Sequence, residues 1–338
     1  MMFTRDIEPY IKVIRKRGAE FKSNNKLGPM AVGYKIKNGK LTPDIGIIAF
    51  VTRKYDKAKL QANKIEELPK EIDGYPTDII EIPDGFKLRA DDSRYRPFAG
   101  GVATINSKME GTGTLGLVVR KNNDPFGKMY GITNNHIGAN EDIEGMNPSS
   151  AKKGDFWIQP GTYGGGSAPY DVIAKLDSWS KIKPRAPGKA NYYDVAIGEI
   201  TESVKRYAKL YEIKDIGSVE NIEGINIGDK VMKRGRATLK TVGIVAAKLA
   251  YPEMIPIDFG GYTCDFTDQA IIVGDPLTSP FSQNGDSGSI IISADKDPST
   301  NAYKAKGLLF SGTETSDGID LTIANPINKI AEDFGLFI

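Results

Sequence analysis

Cysteine and histidine are nearly missing from this chain, whose 338 residues contain one of each, Cys264 and His136. A lone thiol cannot form an intrachain disulfide, and one His with one Cys cannot furnish a structural zinc site from those ligands. Asp and Glu are plentiful enough for a carboxylate site holding Mg²⁺ or Ca²⁺, yet no loop carries EF-hand spacing. Net charge is scarce as well. Lys and Arg number 45 against 43 Asp and Glu, a formal charge of +2, which gives no support to a nucleic-acid or anionic-membrane partner. No stretch approaches the roughly 20 apolar residues of a membrane-spanning helix. The opening MMFTRDIEPYIKVIRKRG is interrupted by charge and lacks the apolar centre of a signal peptide. Internal repeats and low-complexity tracts are also missing.

What remains is ordinary for a soluble globular protein, 40% hydrophobic and 26% charged. Its texture changes along the chain. Thr4 is placed as an N-cap, and Ile7, Tyr10, Ile11 and Ile14 fall at helical spacing, ending at Gly18 or in the polar run from Lys22 to Lys26. MAVGYKIK and IGIIAFVT flank Asn38-Gly39, a hairpin signal. A short helix around Lys57 to Ala62 and a strand PTDIIEI complete a small α/β unit, residues 1–95 with its linker. That linker is expected in the charged, Pro-bounded stretch from Pro83 to Pro97. Residues 96–338 read differently. Short apolar runs such as LGLVVR, YYDVAIGEI, GSIIIS and KGLLFSG alternate with Gly, Pro, Asn and Asp, the pattern of an all-β sandwich or barrel. NPINKIAEDFGLFI returns to helical spacing at the end.

Three segments carry chemistry, in the order His, Asp, Ser. GITNNHIGAN places His136 just after a strand, YYDVAIGEI opens a strand at Asp194, and SQNGDSGSIIIS sets Ser287 in a Gly-rich turn before a strand. A serine hydroxyl needs a base within hydrogen-bond reach, which an imidazole can supply. The base needs a buried carboxylate to hold its tautomer and stabilise its cation. Gly285 lets the chain turn so that its N–H and that of Ser287 converge on one point, a pair of donors for a developing oxyanion. Each segment alone has a structural reading: a packed histidine, a turn aspartate, a plain hairpin. Their conjunction, each beside a strand, favours a triad.

GDSGS, TNNHI and DVAI resemble the GDSGG, TAAHC and DIAL motifs of the trypsin/chymotrypsin-like serine peptidases. The chain is similar more narrowly to the intracellular bacterial and plant narrow-leaf-type peptidases. Thr77-Asp78-Ile79, Arg96-Pro97 with Gly100-Gly101, Asn134 to Asn140, Gln159-Pro160-Gly161 and Ala324 to Ile327 carry that likeness. The resemblance implies a mostly β fold: a chymotrypsin-like double β-barrel, each barrel six-stranded, after the small α/β domain. It implies His136 as general base, Asp194 as its orienter, Ser287 as nucleophile, and the Gly285 and Ser287 amides as oxyanion hole. It further implies a substrate pocket with Phe281 at its base, Ser282 beside it, and Phe310, Ser311 and Gly312 as the wall. With no carboxylate in that first segment, small or medium uncharged side chains are the expected preference. Secreted relatives usually carry disulfides, so the single cysteine points to a reducing, cytoplasmic setting.

In trypsin-like zymogens a newly cut N-terminus pairs with the Asp preceding the nucleophile, here Asp286. Phe98-Ala99-Gly100-Gly101 distantly resembles such a terminus, but the Arg96-Pro97 bond before it resists tryptic cleavage. Asp286 is therefore expected to pair with a backbone amide or an internal basic residue. Lys233, Arg234 and Arg236 read as a solvated strand edge, Gly161 to Pro169 as a loop, and Cys264 as a buried small residue. The expectation is an intracellular serine endopeptidase acting on protein or peptide substrates, without metal or cofactor. Homo-oligomerisation stays open, as does a role for the N-terminal unit in partner binding. The alternative is a catalytically silent peptidase-fold scaffold that binds peptides or mediates assembly.

Overall fold

Runs such as Leu117-Val118-Val119 and Ile290-Ile291-Ile292 are apolar at every position, which a strand tolerates only when both of its faces are covered. A computed structural model, describing residues 6–25, 27–37, 40–81, 90–122, 124, 127–145 and 151–338, shows both coverings. Leu117, Val119, Ile290 and Ile292 point into one core together with Val195, Ile197, Met232 and Leu308. Val118 and Ala196 point the other way, into a core with Val102, Leu115, Trp157 and Ile173. Ile291 and Leu309 enter a third with Val231, Val245, Ile272 and Phe281. Each buried Ile, Leu or Val side chain contributes about 1.5–3 kcal/mol, so a one-residue slip of any such strand is strongly resisted.

These cores belong to two sheets. In the second, Ile290–Ser293, Lys230–Gly235, Leu239–Lys248, Ala270–Gly274, Asp320–Pro326 and Tyr303–Glu314 pair in turn, and Tyr303–Glu314 pairs back to Ile290–Ser293, closing a six-stranded barrel. Gly217–Ile222, Ala208–Ile213 and Phe98–Gly100 extend this sheet through parallel and antiparallel pairings. The first sheet has eight strands and curls without closing, ordered Leu336–Phe337, Leu117–Lys121, Tyr130–Thr133, Ala196–Ile200, Val172–Trp179, Phe156–Ile158, Val102–Asn106 and Gly113–Leu115. Of the two closed barrels expected, the structure therefore has one, with a half-barrel sheet opposite it. Gly116 interrupts the open sheet between two of its strands, at a point where a Cβ would stand 2.4 Å from the Gly288 carbonyl. The helix Ile327–Phe334 seals the shared core with Ile327 and Ile330. The fold is mostly β and chymotrypsin-like, as the sequence motifs imply.

Contacts divide the chain into Met1–Leu88 and Arg89–Ile338. The earlier boundary than the expected 95/96 has a local cause. Asp91 donates its N–H to the Arg236 carbonyl, and Tyr95 N–H bonds to Gln159 Oε1, so these residues belong to the β unit. In the first unit, strands pair in the order Met30–Lys37, Lys40–Val51, Tyr75–Glu81, Glu71–Ile72. The second and third run parallel, joined through the helix Lys57–Ala62. Helix Glu8–Asn25 continues past Gly18 and packs Tyr10, Val13, Ile14 and Phe21 on the sheet, while Ile7 stays exposed. The Thr4 cap and the Asn38-Gly39 turn lie outside the described residues, as does most of the linker's first half.

Candidate active site

Antiparallel pairing sets the first two groups side by side. Ala196 stands opposite Thr133, so the residues before Ala196 meet the short helix Asn135–Gly138 that follows Thr133. Asp194 Oδ1 accepts from the backbone N–H of Asn135 (2.6 Å) and of His136 (3.3 Å), leaving Oδ2 for His136 Nδ1 at 2.5 Å. A carboxylate only accepts, so Nδ1–H donates and Nε2 is left free of its proton in the neutral ring. The Asp194 side chain is fully buried whereas that of His136 is 21% exposed, so solvent or substrate reaches the imidazole alone. Asn134 Nδ2 donates to the Asp194 carbonyl (2.8 Å), and Asn325 Oδ1 accepts from the Asp194 N–H (3.1 Å). Phe259, on the turn between the strands Ile255–Phe259 and Tyr262–Phe266, sets its ring edgewise to the imidazole at 6.2 Å.

Burial disfavours the imidazolium, but the Asp194 charge and hydrogen bond, with Glu141 behind them, outweigh it and raise His136 above its ordinary 6.5. The protonated ring thus adds stability that is fully present below the unfolded value and is lost as pH rises through the folded one.

Ser287 sits in the turn leading into Ile290–Ser293, and this turn is pinned to the other sheet. Thr114 N–H donates to the Ser287 carbonyl (2.8 Å) and Thr114 Oγ1 to the Gly285 carbonyl (2.9 Å). The Thr114 carbonyl accepts in turn from Thr133 Oγ1 (2.7 Å), three residues before His136. Gly288, at φ +95°, must be glycine: a Cβ there would lie 2.1 Å from the Thr114 carbonyl. Gly285 has φ +103°. Among the described residues, neither the Gly285 nor the Ser287 amide donates a hydrogen bond, which leaves both available to an oxyanion. The Ser287 hydroxyl is directed at the Phe310 carbonyl (3.5 Å), and no hydrogen bond joins it to His136.

The pocket residues fare unevenly. Phe281 lies wholly in the barrel core and Phe310 is packed against Phe266, so neither ring lines an open pocket. Ser282 is buried with its hydroxyl on Thr322 Oγ1 (2.6 Å). Ser311 and Gly312 remain accessible. A carboxylate absent from that segment arrives from another strand: Asp320 Oδ2 accepts from the N–H groups of Phe281 (3.0 Å) and Ser282 (3.3 Å). Sequence reasoning missed Asp320, Thr114 and Asn325 because each acts across a long-range pairing.

The basic cluster is not a solvated edge. Lys233 is fully buried against Asp286, Arg234 is paired with Asp91 and Asp215, and Arg236 grips Asp92 through Nε (2.7 Å) and Nη2 (2.6 Å). Asp286 thus has the internal basic partner expected of it, and Phe98 is buried inside a strand. Burial pushes the Cys264 thiol up to about 11, removing it as a nucleophile at neutral pH. Among the described residues no group of three His, Cys, Asp or Glu side chains converges as metal ligands would.

Residues 94–332 match the family described as the Nal1 C-terminal domain. Protein NARROW LEAF 1 of Oryza sativa subsp. japonica is 27% identical over 321 residues, covering 86% of this chain and 52% of that protein. The chain therefore spans about half the length of the curated relative it matches. Among solved structures, it is similar to a glutamic acid specific serine protease that utilizes a novel histidine triad in substrate binding (TM-score 0.47, 17% identity, 71% of this chain and 98% of that one). Thermobifida fusca Protease A gives a TM-score of 0.44 at 17% identity, over 71% and 96% of the two chains.

Proposed function

The chain belongs to the Nal1 C-terminal domain family, and from that membership and its site we propose that it is a serine endopeptidase. The observation that carries this reading is the buried Asp194 bonded to a partly exposed His136, beside a pinned turn whose two free amides flank the Ser287 hydroxyl. A rotation about χ1 takes that hydroxyl from the Phe310 carbonyl toward the imidazole. Ser287 Oγ then attacks the scissile carbonyl as its proton passes to His136 Nε2, and the negative charge forming on the carbonyl oxygen is met by the Gly285 and Ser287 amides. The imidazolium returns the proton to the leaving amine, and water repeats the sequence to release the acyl group. Reaction with a fluorophosphonate probe is the direct test: Ser287 acquires the label, whereas a silent scaffold stays unmodified.

The direction of the His136 shift adds a second expectation. Only the neutral ring can act as base, so kcat/KM rises with pH through an inflection above the ordinary 6.5. One imidazole in the chain gives one NMR titration to compare. A titration midpoint in the free enzyme that departs clearly from the kinetic inflection removes His136 from this role.

Asp320 alters the specificity expected from sequence. A carboxylate beside Ser282 and the accessible Ser311–Gly312 wall favours a cationic side chain before the scissile bond, because desolvating that cation unpaired costs several kcal/mol. Profiling on a diverse peptide library should show Lys and Arg ahead of uncharged residues, and Asp320→Asn should reduce that advantage by about tenfold or more. A wild-type preference for small uncharged residues would instead bear out the specificity that the Phe281 segment alone implies.

A further inference from the structure

Lysine is almost never fully buried unless paired, yet Lys233 and Asp286 both lie entirely out of solvent, 3.1 Å apart. The ammonium's remaining hydrogens go to Thr238 Oγ1 and the Leu239 carbonyl (3.1 Å), and the Phe281 ring lies 5.8 Å from it. Asp286 is equally committed. Oδ1 accepts from Ala237 N–H (2.8 Å) and Thr238 N–H (3.1 Å), Oδ2 from Thr238 Oγ1 (2.6 Å) and Gln283 N–H (3.1 Å). Gly235 makes room for this approach, since a Cβ there would stand 2.3 Å from Asp286 Oδ1. The hub therefore occupies the one residue between the two amides, Gly285 and Ser287, that face the developing charge.

We propose that Lys233 is a positioning residue: through Asp286 it holds the turn 285–287 so that both amides stay aimed at one point, in the uncut chain. This rests on the reading of Ser287 as nucleophile. The physical reason is that a buried carboxylate without its cation must take up a proton or turn toward water, and either move rotates the peptides beside it. Loss of the ammonium proton has the same consequence, so the enzyme carries an alkaline limit of its own. Burial disfavours the Lys233 cation most, Arg234 adds to this, and Asp286 and Asp320 oppose it. The balance lowers Lys233 from its ordinary 10.5, which puts the alkaline limb below that value.

The test compares full-length wild type with Lys233→Met, Lys233→Arg and the double variant Lys233→Met/Asp286→Asn. It measures kcat and KM over about pH 6 to 11, fluorophosphonate labelling of Ser287, and Tm. Lys233→Met should lose about 10²–10³-fold in kcat with KM little changed, the size of a lost oxyanion donor. The double variant, free of the uncompensated charge, should regain Tm but not kcat. Lys233→Arg, whose guanidinium stays charged, should recover part of kcat and move the alkaline limb upward. The proposal is overturned if Lys233→Met or the double variant labels and turns over at the wild-type rate, or if Lys233→Arg keeps the wild-type limb. A wild type that turns over peptide but does not label at Ser287 sinks the nucleophile reading, and the proposal with it. Labelling in the wild type with unchanged variants sinks the Lys233 role alone.

Discussion

Ser287→Ala is expected to lower kcat by about 10⁴- to 10⁶-fold, and His136→Ala to match it, while the double variant loses little more than either alone. The non-additivity follows from the chemistry. Without a base the hydroxyl is a poor nucleophile, and without the hydroxyl the base has no proton to take, so each removal disables the same step. Residual activity would come from substrate binding and the two oxyanion amides. Ser287→Ala is also the cleaner variant structurally. Its hydroxyl makes one long hydrogen bond to Phe310, so Tm should move little and a fall in kcat reports chemistry alone. His136→Ala differs, because it leaves the buried Asp194 Oδ2 facing no donor and should lower stability as well. Substantial hydrolysis by Ser287→Ala of a peptide that the wild type cleaves would falsify the assignment.

How legible these groups are in the sequence depends on their separation along the chain. The nucleophile turn can be read because its requirements are local: two glycines at positive φ around Ser287, then an apolar strand. The His and Asp segments are legible as strand-adjacent motifs, though the register pairing Ala196 with Thr133 is not. The continuous apolar runs signal strands covered on both faces, but nothing in them distinguishes a closed ring from a curled sheet. That depends on which edges meet, as Tyr303–Glu314 does with Ile290–Ser293. Lys233 is hidden for a different reason. Its residue type makes full burial improbable, and its partner Asp286 lies beyond four intervening strands. Phe281 does stand beside Ser282, but alternation along the backbone turns its ring into the core and leaves its amide for Asp320.

Asp194→Asn should cost about 10⁴-fold in kcat with the fold intact, and the reason lies in how one oxygen fewer must be shared. In the wild type, Oδ1 serves two backbone N–H groups and Oδ2 serves His136 Nδ1–H. An amide has one oxygen and one NH₂. If the oxygen faces the ring, the NH₂ meets the N–H groups of Asn135 and His136, donor against donor in a fully buried place, at about 1–3 kcal/mol for each unsatisfied group. The opposite orientation keeps both backbone bonds and presents the NH₂ to Nδ1. The ring must then accept at Nδ1, which places its proton on Nε2, the nitrogen that has to take the Ser287 proton. The variant is thus expected to fold, bind substrate with nearly unchanged KM, and hold its imidazole in the wrong tautomer. Nitrogen chemical shifts of the single histidine read that tautomer directly, and Tm checks the fold. An Asp194→Asn enzyme within tenfold of wild-type kcat, with Nε2 still unprotonated at neutral pH, would remove Asp194 from the triad.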